Sequence, residues 1–337
     1  MRVQVAFTVS VLHISITGET MITKRVSLPY PPHIQELAMA GLNDVKESNT
    51  GLLATLIQQQ DLLVEQADLL EAKASLLAAE TICGNTDESQ DVELYDGSLG
   101  VSVEFVHSFS PPVGQLQWLD DLKDRFKGPK DSPGNVSGVR WGSGCLIESD
   151  LFITAGHCFD QTGGGWERPK RNGTLISEEE IATLMKVNFN FQLNSETKKL
   201  RDEDSYPVIG LHEFCLGTLD YAIVQLGKNE KGEIPGKKFG RLMVAPVDLI
   251  ATGAMLCVIQ HPNGKPKMIE AGPLISNVNG KISYDSIDTL GGSSGSAVLN
   301  AETGEVVGIH TNGGCSAFSG ANFGVAIGAI RKFSSIL

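Results

Sequence analysis

From about residue 97 onward the chain is a succession of short apolar runs. They read "GVSVEFVHSF", "GQLQWL", "GVRWGSGCLI", "DLFITAGHC", "LDYAIVQLG", "MLCVIQHP", "SAVLN", "EVVGIHT" and "FGVAI", and turns rich in Gly, Pro, Asn and Asp separate them. Many short strands with turn punctuation predict a mainly β sandwich or barrel. Helical period appears in only two places here, "SEEEIATLM" and the C-terminal "AIGAIRKFSSIL". In the first, Ser177 stands at the N-cap and Glu180 completes a capping box. A hydrophobic content of 41% is enough for a real core.

The N-terminal part has a different texture. Residues 1–32 are a leader of uncertain status. Val3, Val5, Phe7, Val9 and Val11 alternate as in a strand, whereas a basic start and apolar positions also suit a secretory signal. Met21 is an alternative start. No small-x-small cleavage site follows clearly, so an intracellular place is expected ahead of secretion, with both open. Residues 33–82 read as a helical extension. Its leucines fall seven apart, at Leu62-Leu63, Leu69-Leu70 and Leu76-Leu77, with Leu56 in register. That stripe, Leu56 to Leu77, must be covered by the rest of the chain, by a helical partner or by a coiled-coil dimer. Residues 83–96, containing "GNTDESQD", read as a linker.

Several function classes fall away. A net charge of −13 gives no basic footprint for nucleic acid. No apolar run reaches the ~18 residues of a membrane span. Without a GxxxxGK[ST] loop, a GxGxxG run after a strand, or a CxxC pair among the six cysteines, no cofactor and no metal is expected.

Three motifs carry chemistry. His157 follows an apolar strand in "LFITAGHCFD", Asp220 opens a strand in "GTLDYAIVQL", and Ser294 sits in "DTLGGSSGSAVLN". Taken singly, each is an ordinary structural histidine, turn aspartate or linker serine. Together they stand in the order His, Asp, Ser at three strand edges, with gaps long enough to meet in space.

"TAGHC", "LDYAIV" and "GGSSGS" resemble the His, Asp and Ser motifs of chymotrypsin-like serine proteases, which share that chain order. Closer still is the glutamyl endopeptidase branch, whose Thr-x-Gly-Gly-x-Ser-Gly-Ser run fits Thr289 to Ser296 and whose downstream "GIH" with glycines fits "GIHTNGG". The resemblance covers roughly 97–337. It implies two six-stranded β-barrels with a cleft between them, the first ending after "YAIVQLG" and the second beginning near "GRLMVAP". The polar segment from Gln161 to Tyr206 reads as a surface excursion of the first barrel. The resemblance also implies a serine endopeptidase acting on protein or peptide. His157 would be general base, Asp220 its orienting partner and Ser294 the nucleophile, with an oxyanion hole at the N–H groups of Gly292 and Ser294. Thr289 and His310 would hold a substrate Glu carboxylate, with Asp accepted less well, and Thr311, Asn312 and Gly313 would line that pocket. In this family cysteines placed as Cys145 and Cys158 form a disulfide. Ser293 stands where trypsin-type enzymes carry an Asp that pairs with a new N-terminus, so that activation switch is not expected.

Two other classes remain to be weighed. An inactive protease-fold scaffold would need none of the three motifs, and labelling of Ser294 by a fluorophosphonate separates it from an enzyme. An α/β-hydrolase esterase needs GxSxG and a His last in the chain, whereas here the His comes first.

Overall fold

The computed structural model describes residues 2–8, 11–17, 82–161, 166–217, 219–246, 250–316 and 319–337. Residues 1–75 and 76–337 form two units. In the first, β1 (Arg2–Thr8) and β2 (Val11–Thr17) pair as an antiparallel hairpin, consistent with the alternating pattern. The leucine stripe from Leu56 to Leu77 lies outside the described residues.

In the second unit the short strands build two sheets. The first is a closed barrel. It uses β4 (Val113–Trp118), β5 (Arg140–Leu146), β6 (Leu151–Thr154), β9 (Met185–Phe189), β10 (Asp204–Cys215) and β11 (Tyr221–Leu226), in the order β10-β11-β6-β5-β4-β9. Closure satisfies every strand edge internally. Leu116, Trp118, Phe152, Phe159, Val187, Phe189 and Tyr206 fill the interior, all fully buried. A two-residue pair, β7 (Lys170–Arg171) and β8 (Thr174–Leu175), decorates it.

The second sheet has eight strands and stays open. These are β3 (Gln90–Asp91), β12 (Met255–Gln260), β13 (Met268–Pro273), β14 (Ser276–Val278), β15 (Lys281–Tyr284), β16 (Ala297–Asn300), β17 (Val306–Asn312) and β18 (Asn322–Ala326). Their order is β14-β15-β18-β17-β16-β12-β13-β3. The edges are two and three residues long, which limits what they offer to another chain. Beneath them Val258, Ile259, Ile282, Tyr284, Val298, Leu299 and Ile309 are fully buried.

Several expectations change. "GVSVEFVHSF" holds a helix, Val103–Phe109, because Ser102 Oγ accepts from Phe105 N–H and caps it. The region from Gln161 to Tyr206 is more than a surface excursion. It includes β9, a barrel strand whose Met185, Val187 and Phe189 are core. Residues 83–96 are no linker. β3 pairs with β13, Val92 and Tyr95 are buried, and Cys83 is bonded to Cys315. Its acidic composition reads as solvated because the burial rests on only two side chains. Finally, Cys145 and Cys158 do not form a disulfide. Side chains alternate along β5, and it is a Cβ built on Gly142 that would meet Cys158 Sγ, at 3.0 Å. Cys145, an odd number of residues further on, faces the other core.

The helix Glu178–Thr183 forms as expected, with Ser177 Oγ accepting from Glu180 N–H. The Glu180 side chain does not complete the box; Arg171 takes it instead, at 2.6 Å. At the C-terminus the helix is short, Ile327–Ile330.

Candidate active site

β6 ends at Thr154 and the chain tightens into a single 3₁₀ turn, Gly156–Phe159, which carries His157. Asp220 stands one residue ahead of β11, the barrel neighbour of β6. Their pairing therefore fixes the separation of the two side chains. Asp220 Oδ1 accepts from the His157 backbone N–H at 2.8 Å, and Oδ2 lies 2.6 Å from His157 Nδ1. Two contacts from one carboxylate fix both the position of the turn and the plane of the ring. Asp220 is 9% exposed, so little water competes for it.

Ser294 comes from the other sheet, in the loop ahead of β16. Its Oγ lies 2.8 Å from His157 Nε2 and the residue is 6% exposed. The loop is pinned from both sides. Ser143 of β5 donates its N–H to Ser294 O at 2.8 Å and its hydroxyl to Gly292 O at 2.7 Å. Ser143 Oγ in turn accepts from His261 N–H, while Thr154 Oγ1 donates to Ser143 O. Gly295 N–H donates to His310 O and His310 N–H to Ser296 O, tying the loop to β17.

The glycines are required where they stand. Gly292 and Gly295 have φ of +95° and +87°, open to glycine and strained for other residues. A Cβ on Gly292 would also lie 2.8 Å from His261 O. Gly291 O accepts from Asn263 N–H. Across a trans peptide the N–H points opposite to the C=O, so the Gly292 N–H is directed away from Asn263.

The other predicted residues sit beside this loop. Thr289 and His310 are both fully buried, Thr311 is 4% exposed, and Asn312 and Gly313 open toward solvent. Thr289 Oγ1 has no hydrogen-bond partner among the described residues. His310 Nδ1 lies 2.5 Å from Tyr284 Oη. Thr311 is the extra residue of a β-bulge, since β17 pairs His310 with Gly324 and Asn312 with Phe323. Such bulges redirect neighbouring side chains.

Sequence reasoning missed Ser143, Thr154 and Tyr284. The first two sit in "GSG" and "FITAG" as common small residues, and their contacts exist only through strand pairing. Tyr284 in "KISY" follows strand alternation but carries no local signal of a histidine partner.

A closed β-barrel and a second β-sheet with a His–Asp–Ser array between them resemble the arrangement of chymotrypsin-like proteases. Residues 142–309 match the family model described as a trypsin-like peptidase domain. Within that class the likeness is to glutamyl endopeptidases. Those of Staphylococcus aureus strains MRSA252 and MW2 are 27% identical over 183 residues, 54% of this chain and 45% and 49% of theirs. The chain thus spans about half the length of the curated relatives it matches. A solved Glu endopeptidase in complex with MPD aligns at a TM-score of 0.46 and 15% identity, covering 74% of this chain and 95% of that one.

Proposed function

We propose that the protein is a serine endopeptidase that cleaves after Glu and, less well, after Asp. The observation that carries this reading is the continuous Asp220–His157–Ser294 linkage, at 2.6 and 2.8 Å. Ser294 Oγ attacks the scissile carbonyl carbon while His157 Nε2 takes its proton. Asp220 holds Nδ1–H and stabilises the imidazolium. The carbonyl oxygen becomes an oxyanion between the N–H groups of Gly292 and Ser294. His157 then protonates the leaving amine, and water hydrolyses the acyl-enzyme by the same steps reversed.

The Glu preference is supported by the buried Thr289 hydroxyl, which has a hydrogen bond to give, and by the buried His310, which offers a charge-assisted one. The staphylococcal relatives named glutamyl endopeptidases point the same way. A fluorophosphonate should label the protein at Ser294 and not the Ser294→Ala variant, whose turnover should fall by on the order of 10⁶. Peptides matched except for Glu, Gln, Lys or Phe before the scissile bond test the pocket. Preference for Glu over Gln should vanish in His310→Ala. Equal rates on Glu and Gln, or preference for Lys or Phe, rule the specificity out.

A further inference from the structure

Behind the loop that begins at Thr289 lies a group of carboxylates that the proposed peptidase chemistry does not use. Asp87, Glu270 and Asp288 each bring one oxygen to a common point, with these oxygens all within 4.8 Å of one another. They come from three separate places: the segment between Cys83 and β3, the middle of β13, and the residue just ahead of Thr289. Glu270 is 1% exposed, and its Oε1 is buried with no hydrogen-bond partner among the described residues. Leaving such an oxygen unsatisfied is costly. Asp288 is 4% exposed and holds the Cys83 N–H on Oδ1 at 2.6 Å and the Glu88 N–H on Oδ2 at 2.9 Å. Each of its oxygens keeps a further lone pair. Asp87 is exposed and uses Oδ1 for Ser89, so the group has one wet side.

We propose that Asp87, Glu270 and Asp288 bind a calcium ion. Calcium takes oxygen ligands at about 2.3–2.6 Å, so one ion reaches oxygens up to roughly 5 Å apart, and water completes its shell from the open side. It supplies Glu270 Oε1 with the partner it lacks and gives the closely placed carboxylates a shared countercharge. The donors are all oxygen, which disfavours zinc. The irregular mixture of buried and exposed donors suits calcium better than the strict octahedron of magnesium. An ion here fastens residues 83–91 to the back of the loop leading to Thr289 and Ser294, next to the Cys83–Cys315 bond. The inference is independent of the peptidase reading, because it concerns binding and stability alone.

The test uses the full chain carrying Ser294→Ala, stripped with chelator and titrated with calcium chloride by calorimetry and by thermal unfolding. Saturable binding of one ion, with a Kd of about 10⁻⁴–10⁻³ M, the weak end of the protein calcium-site range, should raise the unfolding midpoint by several degrees. Asp87→Asn and Glu270→Gln should each weaken binding at least about tenfold, by the loss of one charged ligand. Asp87 is exposed, so its variant reports even where Glu270→Gln fails to fold. No heat and no shift at ~10 mM calcium, affinity unchanged in Asp87→Asn, or an equal response to magnesium overturns the assignment.

Discussion

At the scale of single residues, one buried contact beside the proposed pocket is not announced by the sequence. Tyr284 Oη sits 2.5 Å from His310 Nδ1, inside a core where both residues are fully buried. Through that contact the phenol fixes the orientation of the His310 ring, the residue proposed above to meet a substrate carboxylate. Tyr284→Phe removes one hydroxyl and leaves the ring packed, so unfolding free energy should fall by only about 1 kcal/mol. The ratio of kcat/KM for Glu over Gln peptides should fall by roughly tenfold, the worth of one good hydrogen bond. A Glu:Gln ratio unchanged in Tyr284→Phe removes the tyrosine from the pocket's machinery. His157, Asp220 and Ser294 could be read from sequence because three motifs stood in one order and a turn with two glycines framed the serine. Tyr284 could not, because its partner lies 26 positions away on β17, which β18 separates from its own strand β15. The cysteines show the same limit: which thiol faces Cys158 depends on strand parity, and Gly142, not Cys145, holds that place.

At the scale of elements, the stretch from Cys83 to Tyr95 is the part that sequence texture misrepresents. Its polar residues read as a spacer, yet the backbone N–H groups of Cys83 and Glu88 hold Asp288, and β3 extends the second sheet. Asn322 secures the same corner, donating to Ile287 O and accepting from the N–H groups of Gly314 and Cys315. A chain beginning at residue 82 keeps all of this. One beginning at 97 loses β3, the burial of Val92 and Tyr95, and the disulfide. The bond alone is worth about 2–4 kcal/mol and each buried apolar side chain about 1.5–3 kcal/mol. The shorter chain should therefore unfold at least ~10 °C lower, which calorimetry of the two proteins would show, since 1 kcal/mol moves a midpoint by about 2–4 °C in a domain of this size. Matching midpoints would return the segment to the status of a linker. The covalent part has its own check. A non-reducing peptide map should recover Cys83 joined to Cys315 and no peptide joining Cys145 to Cys158.

At the scale of the whole molecule, one buried amine gathers parts that are distant in sequence. Lys267 is fully buried. Its Nζ donates to Ser110 O at 2.8 Å, its N–H donates to Phe191 O, and its carbonyl accepts from Val92 N–H. The first partner follows the Val103–Phe109 helix, the second follows β9 of the closed barrel, and the third follows β3. Burial lowers the Lys267 amine to about 7, against a usual 10.5, with the Glu93 charge opposing that shift. The sign of the pH effect follows. Between about pH 7 and 10.5 the unfolded chain holds a proton on this amine that the folded chain has released, so this residue's contribution to stability rises with pH across that window. It is complete above the unfolded value and lost as pH falls through about 7, a swing on the order of 5 kcal/mol. Lys267→Met removes the titration while keeping most of the volume, at the cost of leaving Ser110 O without this donor. Urea unfolding at pH 6 and at pH 9.5 separates the two terms. The variant should gain on the native protein at pH 6 and lose that gain at pH 9.5, since only the protonated amine is penalised by burial. A difference between the two proteins that stays constant from pH 6 to 9.5 would mean that the amine keeps its proton throughout, and that Glu93 outweighs the burial.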